Sequence, residues 1–357
     1  MSRVKVCSYC GVPMKFLKDV EWNSDGTITQ TWNPDHRRFF YESEGFATLF
    51  SNLGDLLGVP VDRIVTEGLR KTTYDFMATL FSGFKGWMVR TLPRRMFYDR
   101  VSEMGWLYGC GRLEVLDVKR GEYLKWLAIN SYTPTMHQGD LVGIFNAVEG
   151  LPAEVTVEER GGDHIFNITA SEKPKEEMLA RLQRIVLPCK PGKVSFERCP
   201  KCGLPLYLKE CLWSRDKGTI TNNNTGRNMT LVGPEGLDAI FRELEAELGE
   251  DIPHSVVEAQ RQYVVEAFTA EEVQPELDNL VFLLALRGMG NLVHLSFSDD
   301  LMKAVVENAD PALMVAGLLQ GIFELATGKG STYDYIRSDD GTLNITVKVM
   351  KAEDVEL

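Results

Sequence analysis

Apolar positions along this chain recur with two different periods. Phe46, Leu49, Phe50, Leu53, Leu56 and Leu57 repeat at three and four and mark one face of a helix, with Ser43 as its N-cap and Gly58 as its stop. Pro60 opens a second helix through Ile64, Leu69, Phe76, Met77 and Leu80, and a third helical region covers residues 84–104, interrupted at Pro93. Beyond it the period falls to two. Arg112–Val118 and Glu122–Asn130 read as strands, 135–149 as a helix, and Val155–Glu159 with His164–Thr169 as a closing hairpin. Ahead of the helices, Met14–Trp22 and Thr27–Trp32 read as hairpin strands around Asn23-Ser24-Asp25-Gly26.

The same order then runs a second time. A hairpin over 197–221 precedes a helix with Leu237, Ile240, Phe241, Leu244 and Leu248 apolar, then a Pro253 helix and one near 276–287. Strands Asn291–Phe297 and Leu301–Glu307, a helix over 311–327 and a hairpin of Thr332–Ile336 with Leu343–Val349 complete it. Gly139-x3-Gly143-Ile144-Phe145 matches Gly317-x3-Gly321-Ile322-Phe323, and Asn-Ile-Thr closes each copy at 167–169 and 344–346, so Asn167 is expected to correspond to Asn344. The expected organisation is a first copy at 1–172, a linker at 173–195 holding a short amphipathic helix, and a second copy at 196–357. The fold class expected is α+β, each copy having a hairpin, a helical layer and a four-stranded antiparallel sheet with one crossing helix.

Each copy opens on Cys-x2-Cys-Gly-x-Pro: Cys7-Ser8-Tyr9-Cys10-Gly11-Val12-Pro13 and Cys199-Pro200-Lys201-Cys202-Gly203-Leu204-Pro205. This is the metal knuckle of zinc ribbons and rubredoxins, in which two thiolates reach one ion from a tight turn. A structural tetrahedral site needs four ligands and one knuckle gives two. The expectation is that Cys7, Cys10, Cys199 and Cys202 close one site and clamp the copies together. Half-sites completed by another subunit, and redox-active or unmetallated thiols, are the alternatives. Zinc is the expected metal; iron accepts the same sulfur tetrahedron.

Charge narrows the partners. The net charge of −12 argues against nucleic-acid binding. It is lopsided, with 25 Lys and Arg against 24 Asp and Glu in residues 1–195 but 14 against 27 after them. The acidic second copy is a candidate surface for a protein partner or a homo-oligomer contact. The first residues have no apolar signal core and no apolar run is long enough to span a membrane, so a cytoplasmic setting is expected. Seven cysteines, four of them in knuckles, suit metal binding better than disulfides.

Strand–strand–helix–strand–strand order with Gly-x3-Gly on the helix resembles the V4R (4-vinyl-reductase) domain and its relative, the heme–NO-binding domain. The resemblance implies a pocket between helices and sheet for a small, often hydrophobic ligand; hydrocarbon binding is known among such proteins. It does not imply heme here. The Tyr-x-Ser-x-Arg propionate motif is replaced by Ser131-Tyr132-Thr133-Pro134 and Phe297-Ser298-Asp299-Asp300.

Five of six tryptophans lie in the first copy, and an arginine set accompanies them between Arg90 and Arg100. The candidate ligand site is therefore Trp87, Phe97, Trp106 and Trp126 as walls, Arg94 or Arg95 at the mouth, and Gly143 as floor, holding an aromatic or acyl molecule. The glycine pair also serves close packing of the helix. The function expected is that of a zinc-stabilised ligand-binding protein acting as sensor, carrier or accessory factor. The alternative is a reductase or electron-transfer partner with a rubredoxin-like iron site. No residue pattern identifies a triad, though chain order alone does not exclude one, and the sequence has no P-loop and no Gly-x-Gly-x-x-Gly after a strand.

Overall fold

A computed structural model describes residues 4–81, 92–172, 182 and 185–351. Its opening knuckle leads into a short helix α1 (Met14–Asp19) and strands β1 (Val20–Trp22), β2 (Ile28–Gln30) and β3 (Asn33–Glu42). Helices α2 (Ser43–Leu57), α3 (Asp62–Leu80) and α4 (Arg94–Leu107) follow, then β4 (Arg112–Lys119), β5 (Tyr123–Ile129), α5 (Pro134–Glu149), β6 (Ala153–Arg160) and β7 (Asp163–Ala170). The second half has β8 (Cys211–Ser214), β9 (Thr219–Asn222), β10 (Asn228–Val232), α6 (Pro234–Leu248) and α7 (Ile252–Ala267). It continues with α8 (Ala270–Asp278), α9 (Leu280–Arg287), β11 (Asn291–Phe297), β12 (Leu301–Glu307), α10 (Ala312–Thr327), β13 (Ser331–Arg337) and β14 (Leu343–Val349).

The fold is α+β with repeated elements. Two four-stranded antiparallel sheets have matching orders, β4-β5-β7-β6 and β11-β12-β14-β13. The third sheet joins the halves. Its order is β1-β2-β3-β10-β9-β8, with β3 and β10 antiparallel at its centre. Neither β3 nor β10 is among the strands expected from the sequence. Phe39 to Glu42 are all buried, so this strand has two covered faces and no period-two signature.

Pairing across the centre is self-complementary. Glu44-Gly45 and Glu235-Gly236 occupy equivalent helix starts, which makes Phe40 the counterpart of Leu231, and Phe40 stands opposite Leu231 in the ladder. An approximate twofold axis therefore passes between these two residues. Around it, each half lends its first elements to the other. Gly45 of α2 backs onto Tyr263 of α7, and Gly236 of α6 backs onto Thr72 of α3. Trp22 Nε1 donates to Leu286 O at 2.8 Å and Trp213 Nε1 to Leu107 O at 3.1 Å.

Several local expectations need correction. Residues 14–19 form a helix rather than a strand, entered from Pro13 at φ −59°. Ser43 is the first residue of α2, not its cap; Glu42 holds that position without a side-chain bond. The Pro60 helix starts at Asp62, and the 276–287 helix is two short ones, α8 and α9. The Asn-Ile-Thr triplets are out of phase. Tyr123 and Leu301 begin equivalent strands and pair with Thr169 and Lys348, so Asn167 corresponds to Thr346. The linker helix and the first part of the 84–104 helix fall largely outside the described residues. No helix among those described is long and apolar enough to cross a membrane.

Glycine is required where the halves touch. Gly109 (φ +76°) and Gly288 (φ +72°) are equivalents, and a Cβ on them would meet Met229 O at 2.1 Å and Arg38 O at 2.6 Å. Gly150 has a similar φ of +72° but open space around it. Gly150→Ala is expected to cost about 1–2 kcal/mol for the left-handed backbone alone. Gly109→Ala should cost clearly more in urea denaturation, because strand β10 must also shift; equal losses would contradict the close approach.

Candidate metal centre and ligand cavity

Each knuckle is built by its own backbone. Cys7 N donates to Val12 O at 2.8 Å and Gly11 N to Cys7 O at 3.0 Å; Cys199 N donates to Leu204 O at 2.8 Å and Gly203 N to Cys199 O at 2.9 Å. Gly11 (φ +76°) and Gly203 (φ +79°) take the left-handed turn that most side chains resist. The turns direct N–H groups at sulfur. Those of Cys10 and Tyr9 bring the Cys7 thiol down to about 6. Burial opposes ionisation of Cys199, but the N–H groups of Lys201 and Cys202 outweigh it and lower its pKa. Burial raises those of Cys10 and Cys202.

The knuckles meet across the halves. Cys7 and Cys199 sulfurs lie 3.8 Å apart, those of Cys10 and Cys202 3.5 Å apart, and all four are within 4.8 Å of one another. A sulfur tetrahedron around an ion at about 2.3 Å has edges near 3.8 Å. The donor set therefore fits one metal ion held by both halves. Its surroundings are apolar: Val12, Phe16, Trp22, Leu204 and Leu208 belong to the same buried cluster. Cys211 also lies in that cluster, where burial pushes its thiol up to about 12, and it is not among the four.

The anticipated ligand residues that the structure describes fall in different parts of the core. Trp87 lies outside the described residues. Phe97 and Trp126 are buried together in the core beneath β4–β7, both against Tyr98. Trp106 belongs to the separate cluster around the knuckles. Arg94 is buried and pairs with Glu149 at 2.8 Å, while Arg95 donates to Val115 O at 2.9 Å. Gly143 is pressed against α3, where a Cβ would lie 2.5 Å from Arg70 O, and Gly321 is pressed on α7 in the same way. The glycine pairs thus serve helix-on-helix packing.

A cavity of about 190 Å³ lies on the first-half side of the central strands, lined by β3, β10, α3, α4, α5 and the start of α6. Leu69, Phe76, Met77, Val101, Met104, Leu113, Leu141, Ile144 and Leu231 form most of its wall. Into this apolar surface project Arg38, Asp140, Tyr132, His137 and Cys110. Asp140 accepts from Thr73 Oγ1 and Tyr132 OH, both at 2.5 Å, and burial pushes its carboxyl up to about 6. His137 Nδ1 lies 2.9 Å from Ser131 Oγ, and burial, with His164 nearby, holds its ring down at about 3. Burial also takes the Cys110 thiol up to about 12, so it behaves as a neutral group there. Arg38 and Asp140 gave no pattern, because they converge from a strand and a helix that lie 102 positions apart.

The twofold produces a second cavity of about 300 Å³, lined by Phe40, Glu42, Met229, Val264, Phe268, Arg287, Leu318 and Ile322 among others. Equivalent positions differ in chemistry. Asp140 corresponds to Leu318, Thr73 to Val264, Arg38 to Met229 and Tyr108 to Arg287. A polar hollow of about 630 Å³ lies beyond Arg37. Arg37 and Arg337 on its wall pair with Asp310 and Asp238 at 3.3 and 2.9 Å.

No protein-family model matches the chain, and no curated protein matches its sequence. Among solved structures it is distantly similar to H-NOX domains. Two come from studies of heme distortion in the H-NOX family and of H-NOX activation, each with a TM-score of 0.25, 12% identity, and 34% of this chain covered. They are covered over 73% and 75% of their own length. A third, an oxygen-binding H-NOX domain related to soluble guanylate cyclases, gives 0.23 and 13%, with 34% and 73% covered. Likeness at this level carries no functional argument.

Elemental analysis of purified protein is expected to find one metal per chain. Cys202→Ser should lose it and lower the melting temperature of both halves together, since three thiolates leave the shell incomplete. Two ions per chain would refute the shared site.

Proposed function

We propose that this protein binds a small, largely apolar molecule in the first-half cavity and acts as a sensor, carrier or accessory factor, with zinc at the four cysteines locking its halves. The proposal places it beside V4R-type ligand-binding proteins. The observation that carries it is the cavity: apolar walls with a few converging, buried polar groups are the usual makeup of a small-molecule site. Its volume of about 190 Å³ is below the ~300 Å³ of drug-sized pockets, which favours a ligand of single-ring or short-acyl size. Zinc would contribute folding free energy directly, on the order of 10 kcal/mol in small structural sites.

Native mass spectrometry of gently purified protein should show the chain with one metal and a small retained mass. Met104 lies on the cavity wall without being fully buried. Met104→Trp should fill the space, remove the retained mass and leave metal content and thermal stability close to wild type. Retention of the ligand in a stably folded Met104→Trp protein would exclude this cavity. A colourless preparation supports zinc; the visible absorption of ferric thiolate would support iron and the electron-transfer alternative.

A further inference from the structure

Resting on the reading of the first cavity as the binding site, we propose that it selects a monoanionic ligand, a small apolar carboxylate, and that Arg38 is the anchor for its charge. The argument begins with the partners of the cavity's charged groups. Asp140 is met by Thr73 and Tyr132. Asp75 pairs with Lys71, and Arg37 pairs with Asp310. Glu235 accepts from the backbone N of Arg37 at 3.2 Å.

Arg38 differs from these. Its guanidinium is held over the Phe76 ring at 4.6 Å from the centroid and lies 5.8 Å from that of Tyr108. Among the described residues no carboxylate forms an ion pair with it, whereas Arg37 and Arg287 each have one. Asp140 and Asp19 feel its charge only at longer range. Stacking on rings satisfies the face of a guanidinium but leaves its in-plane N–H donors unused, and those suit a carboxylate in two-pronged geometry.

The second cavity shows how the same wall looks when the chain supplies that carboxylate. There Arg287 lies 5.4 Å from the Tyr41 ring and donates twice to Glu42, at 2.7 and 2.6 Å. The twofold counterpart of Glu42 is Gly233. A Cβ built on Gly233 would stand 3.2 Å from Glu235 Oε2 and 3.4 Å from Arg38 Nη1, and its φ of −86° suits any residue. In the first cavity, then, Gly233 leaves Arg38 without that two-pronged partner, and the neighbouring Glu235 accepts instead from the backbone N of Arg37. A ligand carboxylate in that partner's place completes the pair, with its apolar body against Phe76, Met104 and Ile144.

Isothermal titration of full-length, metal-loaded protein with benzoate, phenylacetate and the neutral benzyl alcohol tests this. Wild type should bind a carboxylate at least about tenfold more tightly than the alcohol, the scale of a charge-assisted hydrogen-bonded pair. Arg38→Met should erase that preference while retaining whatever binding benzyl alcohol shows. Gly233→Glu should place a carboxylate on Arg38 and exclude the anions, with metal content and melting temperature reporting that the fold persists. Equal affinity of wild type for benzoate and benzyl alcohol, or an undiminished preference in Arg38→Met, overturns Arg38 as anchor but leaves the cavity a binding site. Failure of all three compounds to bind wild type at millimolar concentration overturns the cavity reading itself.

Discussion

The pairing of β3 with β10 is the constraint on which the architecture depends. Both strands are covered on their faces, so their backbone groups need partners within the protein. Each finds its innermost partner only in the other half. The exchange extends outward from there: α2 packs on α7, α6 on α3, and the Trp22 and Trp213 indoles donate to carbonyls across the divide. Two halves joined this way share one interior, and the four-sulfur cluster draws two cysteines from each of them.

The two cavities follow from the same geometry. Leu231 lines the first and its ladder partner Phe40 lines the second, so one strand pair serves as a wall for both. What differs is polarity. The first has Asp140, Thr73 and Arg38 where the second has Leu318, Val264 and Met229. Within the second, charge is already balanced by the Glu42–Arg287 pair.

Local elements were legible in the sequence because periodicity and glycine stops act over short range. The strands Asn291–Phe297 and Leu301–Glu307 and the Gly58 stop appear where the pattern put them. The four cysteines were legible for another reason: two knuckles at fixed offsets in a duplicated chain leave few other ways to complete a metal shell. The central strand pair was hidden, since burial on both faces removes alternation. The cavity was hidden too. Tryptophan abundance suggested a pocket, but Trp126 and Trp106 are used as core in two different clusters. Recognising Arg38 requires knowing which carboxylates reach it, and that is a property of the assembled twofold.

The ladder across Phe40 and Leu231 has a bearing on origin. Equivalent residues facing each other across an axis are the mark of an isologous dimer, in which one surface patch meets its own copy. Two identical chains paired through β3 would form this sheet and, with one knuckle each, this sulfur cluster. Here a single polypeptide occupies both places. A homodimer must repeat every substitution on both sides of its axis. Joining the two chains ends that obligation, and it is what permits glutamate at position 42 and glycine at position 233, so that one cavity carries its own two-pronged ion pair and the other does not.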